Sequence, residues 1–161
     1  MLTCAGDEMC LTADAERVCA DLVALGAVAT SGHRSVAGQA HAMAVNVAQN
    51  RKWIGQTYRH GAELQALVDA HPEWVSARDI GEGLYLAMTF DGAHAGGLSH
   101  HLLLPCPCFD LDPESVTDRV RVRIEDYQRE GVIVQVLWRE GGLKKCHIEV
   151  AALPDVKTVE V

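Results

Sequence analysis

The apolar residues of this 161-residue chain change their spacing near residue 80, and that change limits the available folds more than any single motif does. Before it they recur at helical intervals. Val18, Leu22 and Leu25 share one stripe of "AERVCADLVAL", with Thr12 placed to cap it and Asp14 and Glu16 in a first turn where the helix dipole favours negative charge. Ser35 opens a longer pattern of Val36, Ala40, Met43, Val47, Ile54 and Tyr58, which predicts one helix reaching Tyr58. A third helix, "AELQALVDA", ends before His71-Pro72, because proline disfavours helical geometry in the residue that precedes it.

Beyond residue 80 the period shortens to two. "LYLAMTF" sets Leu84, Leu86, Met88 and Phe90 on one face, "GLSHHLLL" reads as a returning strand, and "RVRVRIE" alternates Val120, Val122 and Ile124 with Arg119, Arg121 and Arg123. "VIVQVLW" and "LKKCHIEV" flank Glu140-Gly141-Gly142 as a hairpin. A three-residue loop there pairs Val136 with Cys146, Val134 with Ile148 and Val132 with Val150, apolar against apolar, whereas a two-residue loop sets Val136 opposite His147. The longer loop is the expected one. The predicted fold is α+β: N-terminal helices at about residues 12–70 packed on one face of a largely antiparallel sheet of about five strands at about residues 84–161. Residues 1–161 are expected to form a single domain in which a helical half (1–80) and a β half (81–161) depend on each other.

Composition narrows the function classes. A hydrophobic fraction of 48% with 22% charged residues is globular, and no apolar run approaches the length of a membrane span. Asp7 and Glu8 interrupt the N-terminal segment where a secretory signal would carry its apolar core, which predicts a soluble, cytoplasmic protein with reduced thiols. The net charge of −8 speaks against nucleic acid, whose binders carry basic patches, and is compatible with a basic protein partner.

Chemistry concentrates in "HHLLLPCPCF", residues 100–109. Cys106 and Cys108 share a face if the segment is extended, with Cα atoms about 6.5–7 Å apart, at the far limit for a disulfide but within reach of a common metal ion. Prolines 105 and 107 remove two backbone donors, as expected at an edge strand, the leading reading, or where a strand leaves the sheet. Zinc would need further ligands, with His101 and His94 the histidines available nearby; otherwise these thiols are structural and no cofactor is expected. Asp110, Asp112 and Glu114 alternate next to them and read as a solvated turn.

A second feature is the face of the sheet turned away from the predicted helices. It groups Arg121, Arg123, Gln135, Arg139 and His147 around Ile133 and Leu137, an apolar centre with an arginine-containing rim such as interfaces show. The leading expectation is therefore a small binding or protein-interaction module, homodimeric or bound to another protein or a small-molecule ligand, acting through that face or the cleft between helices and sheet. A metal-dependent or thiol-dependent enzyme centred on Cys106, Cys108 and a nearby histidine is the alternative. A third class is an acidic inhibitor or immunity-type protein that covers a basic partner.

Overall fold

The computed structural model describes residues 3–4, 7–8, 10–90, 98–103 and 105–151. Two short strands, β1 (Thr3–Cys4) and β2 (Asp7–Glu8), pair with each other. They precede α1 (Ala13–Ala24), β3 (Ala29–Ser31), α2 (Val36–Gln49), α3 (Trp53–Thr57), α4 (Ala62–Ala70) and α5 (Ala77–Phe90). A 3-10 turn at His100–Leu102 leads to β4 (Cys108–Leu111), and a second at Pro113–Ser115 leads to α6 (Asp118–Arg129). The hairpin of β5 (Ile133–Glu140) and β6 (Leu143–Val150) follows. The main sheet is antiparallel in the order β3-β4-β6-β5, and helices pack against it, so the chain is an α+β protein.

Side-chain alternation divides the interior in two. Phe109 and Leu111 of β4 and Cys146, Ile148 and Val150 of β6 face α1 and α6, where Val18, Leu22, Val120 and Ile124 complete one core. The other core lies among α2–α5 and holds Met43, Val47, Trp53, Ile54, Leu64, Ile80 and Leu84, with Leu143 of β6 packed against it. Cys108, Asp110, Lys145, His147 and Glu149 alternate with the first set and so point to the opposite side of the sheet. A cleft remains between that side and α2 and α3. No helix among the described residues is long and apolar enough to cross a membrane.

The expected caps form: Thr12 accepts from the Ala15 amide and Ser35 from the Gly38 amide. The helix predicted to run on to Tyr58 instead breaks at Asn50, and α3 begins at Trp53. Asn50 is the cause. Its side chain accepts from the Lys52 amide and donates to the Gly141 carbonyl, the kind of local bonding by which asparagine competes with helix continuation.

Three segments expected as strands are not strands. "LYLAMTF" lies in α5, because Ile80, Leu84 and Met88 form a helical stripe that is buried while Leu86 is exposed. Gly83 is needed there for close approach, since a Cβ on it would stand 2.2 Å from Cη2 of Trp74. "RVRVRIE" lies in α6, capped by Thr117, with Val120, Ile124 and Tyr127 buried and Val122 exposed. "GLSHHLLL" becomes the 3-10 turn, capped by Ser99.

The β5–β6 hairpin stands where its alternation placed it, in a different register. Glu140 pairs with Leu143 and Arg139 with Lys144 around a two-residue Gly141-Gly142 turn, whose φ values of +51° and +83° favour glycine. Irregularities then shift the ladder so that Leu137 opposes His147, Val136 opposes Ile148 and Ile133 opposes Val150. The pairing of Val136 with Cys146 does not occur. The bulges reconcile a short turn with apolar residues opposite apolar ones, an outcome that neither uniform register achieves with this turn. At the tip, the Trp53 indole donates to the Glu140 carbonyl at 3.0 Å, and a Cβ on Gly141 would come within 2.1 Å of Trp53 Cδ1.

Candidate metal centre

The row that begins with Cys106 and Cys108 continues to Asp110, three residues at the two-residue spacing of a strand face. Cys106 is fixed by its backbone, donating to the Cys10 carbonyl at 2.8 Å and accepting from the Thr12 amide at 2.9 Å. Cys108 and Asp110 belong to β4, which lies inside the sheet between β3 and β6 rather than at its edge. The edge-strand expectation for this segment is corrected accordingly; Pro105 and Pro107 stand at the other expected place, just outside the end of the strand. Proline is tolerated beside a central strand here because Pro107 takes part through its carbonyl, which accepts from the Val150 amide at 2.9 Å.

The two thiols face each other with sulfurs 3.3 Å apart, and both side chains are fully buried. His101 is delivered to them by the 3-10 turn. Its Nδ1 lies 2.5 Å from the Gly32 carbonyl, which can only accept, so Nδ1 carries a proton and Nε2 is directed at the cluster. His101 Nε2 and the two sulfurs all lie within 4.8 Å of one another. A backbone acceptor on the outer nitrogen is how a ligating imidazole is commonly oriented.

A second group shares His101. Its Nε2 is 3.2 Å from His147 Nδ1 and 3.3 Å from Asp110 Oδ1, and His147 Nδ1 is 2.8 Å from the same carboxylate oxygen. Arg34 and the Ser31 hydroxyl both reach Asp110 Oδ2 at 2.5 Å. Glu149, next to Cys108 across the sheet, meets His147 Nε2 at 3.4 Å and His100 Nδ1 at 2.9 Å.

The charges in this cluster set one another. Burial alone would raise Asp110, but the charge and hydrogen bond of His101, the bond from His147 and the Arg34 guanidinium hold its carboxyl well below the usual range. Burial opposes protonation of His147, yet hydrogen bonds to Asp110 and Glu149 push it up to about 10. The hydrogen bond between the thiols lowers Cys106, assisted by His101, and raises Cys108.

Ligand atoms on a tetrahedral zinc, at about 2.3 Å for sulfur and 2.0–2.1 Å for nitrogen, stand roughly 3.3–3.8 Å apart. The two sulfurs, 3.3 Å apart, need to separate by about half an ångström to match the spacing of two sulfur ligands. The structure brings together Cys106, Cys108 and His101, three of the four residues expected as metal ligands; His94 lies outside the described residues.

The seven residues expected to form an outer binding face do not form one surface. Gln135, Leu137 and His147 do line the cleft, about 410 Å³ in volume, together with Arg34, Tyr58 and Glu140. Ile133 is instead buried in the core under α1 and α6, and Arg139 is exposed beside the turn, where it donates to the Gly142 carbonyl. Arg121 and Arg123 sit on α6, across the sheet from the cleft. Arg121 stacks over Trp138, and Arg123 bonds Asp21 of α1 at 2.7 Å. The helical period of α6 removes both from the expected face.

Asp110 was expected in a solvated turn and instead lies in β4 at the centre of the cluster, and Arg34 was not expected in a site at all. Asp110 had a sequence signal, its place two residues beyond Cys108; Arg34 had none. No known protein family's sequence profile matches the chain, and no curated protein sequence or solved structure is significantly similar to it.

Proposed function

We propose that the protein binds one zinc-class transition metal ion through Cys106, Cys108 and His101, and that the helix–sheet cleft gives a small-molecule ligand access to this centre. The carrying observation is the convergence of two sulfurs and one tautomer-fixed imidazole nitrogen within 4.8 Å. Two thiolates and an imidazole suit zinc better than magnesium or calcium, which take oxygen ligands. Three protein ligands leave one coordination position, as catalytic rather than structural zinc sites do. His147 and Asp110, grouped around the same His101 nitrogen, are the polar side chains nearest a ligand that would take it. In this arrangement the metal supplies Lewis acidity, and Asp110 with Arg34 and Ser31 keeps His101 and His147 in place.

The test is the metal content of reduced protein purified without chelators, measured by native mass spectrometry and elemental analysis. About one ion per chain is expected, lost when Cys106 and Cys108 are both replaced by serine while circular dichroism stays that of the folded chain. Unchanged metal content in the folded double variant would remove these residues from the site.

A further inference from the structure

We propose that Cys106 and Cys108 are also a peroxide-sensitive dithiol, and that closing a disulfide between them ejects the metal. The inference rests on the metal reading above and adds its regulation by a small peroxide.

The sulfurs are in contact at 3.3 Å, whereas a disulfide bond is about 2.05 Å long, so a small approach closes it. Both backbones are held in place for that approach. Cys106 is tied on both sides to the segment of Cys10 and Thr12, Cys108 is paired to Glu149, and the intervening Pro107 has its φ fixed by its ring. Among the described residues, the other buried thiols, Cys19 and Cys146, belong to the core on the far side of the sheet, and Cys10 is exposed. Burial of both sulfurs keeps protein-sized disulfides away from them. The cleft has room for a molecule the size of hydrogen peroxide and is lined by His101, whose Nε2 lies within 4.8 Å of both sulfurs, so a peroxide reaches them by passing that one side chain.

The step balances. One thiolate attacks a peroxide oxygen and becomes a sulfenic acid as the O–O bond breaks and one water leaves; the second sulfur then displaces the sulfenic oxygen as a second water. Starting from the metal-bound dithiolate, one peroxide and two protons are consumed, and one disulfide, two waters and the free divalent ion are produced. Two electrons pass from sulfur to oxygen. Thiolate sulfur is the metal ligand, so the disulfide leaves His101 alone of the three.

The pair can be read without interference from other cysteines. Residues 79–119 form one tryptic peptide with no internal Lys or Arg and with Cys106 and Cys108 as its only cysteines. Metal-loaded full-length protein is treated with hydrogen peroxide while a chromophoric chelator reports released ion, and the peptide is then weighed. The expected result is loss of two hydrogens from the peptide in step with release of nearly all the metal, both reversed by a phosphine reductant and added zinc. In Cys108→Ser, the same peptide is expected to gain oxygen instead. Metal retained with the peptide unchanged, or metal released with oxygen added and no hydrogen lost, would overturn the proposal. Two hydrogens lost from protein that never held metal would overturn the metal reading and support the dithiol alone.

Discussion

His101 and His147 meet ring to ring, Nε2 to Nδ1 at 3.2 Å, although one comes from a 3-10 turn and the other from a strand 46 positions later. What allows two histidines this close is the carboxylate between them. Asp110 Oδ1 lies 3.3 Å from the first and 2.8 Å from the second, while its other oxygen holds Arg34.

Asp110→Asn removes that shared counter-charge, leaving Arg34 without its carboxylate partner and His147 with only the longer contact to Glu149. Breaking a buried ion pair from one side costs about 3–5 kcal/mol, and a loss near the lower end is expected because Arg34 keeps some solvent contact. Urea unfolding of metal-free protein measures it; a loss under about 1 kcal/mol would contradict the role given to Asp110.

The proposed centre makes opposite demands on the neighbouring histidines 100 and 101. His101 is buried with a fixed tautomer, whereas His100 is exposed and paired with Glu149. His101→Ala is expected to weaken zinc binding by at least about tenfold, and His100→Ala to leave it within about twofold, as judged by competition with a calibrated chelator. The reverse order would reassign the ligand.

The α1–α6 contact gives a pH signature away from the centre. A hydrogen bond from Arg123 lowers the Asp21 carboxyl below its usual value, with burial opposing and Tyr127 assisting. A carboxyl depressed in the folded state stabilises above its unfolded pKa, and that contribution is lost as pH falls through the folded value. Asp21→Asn is therefore expected to be less stable than the parent at pH 7, with the gap narrowing below about pH 4. Melting curves at the two pH values read the difference; a gap that widens in acid would refute the assignment.

Gly83→Ala tests the packing of α5. Alanine in a helix is ordinarily better than glycine by about 1 kcal/mol, but here the new methyl meets the Trp74 ring. A net loss of about 1–3 kcal/mol is expected, reduced when Trp74→Leu is combined with it. Simple stabilisation by Gly83→Ala would show that Trp74 moves aside freely.

Much of this could be read from one chain. The helices at Ala13 and Ala62, the two N-caps, the hairpin, and the opposed faces of Cys146 and His147 follow from local periodicity alone. "LYLAMTF" and "RVRVRIE" misled because their helices carry Leu86 and Val122 on exposed positions, which makes a helical stripe look like alternation. The site was half legible. Cys106, Cys108 and Asp110 lie in a row that spacing reveals, but placing His147 beside Asp110 requires β6 to pair with β4, which no local pattern encodes. His101 was among the expected ligands, but its approach to the sulfurs was not legible because the turn that carries it resembles a strand.

The cleft is anchored at both ends. At one, Arg34 and His101 tie the helical side to Asp110; at the other, Asn50 and Trp53 hold the Gly141 and Glu140 carbonyls of the hairpin tip. An arch pinned at both feet does not flex like a jaw. Its aperture is settled when the chain folds, so a ligand of the kind proposed would meet a socket of fixed span, with little backbone left to order on its arrival.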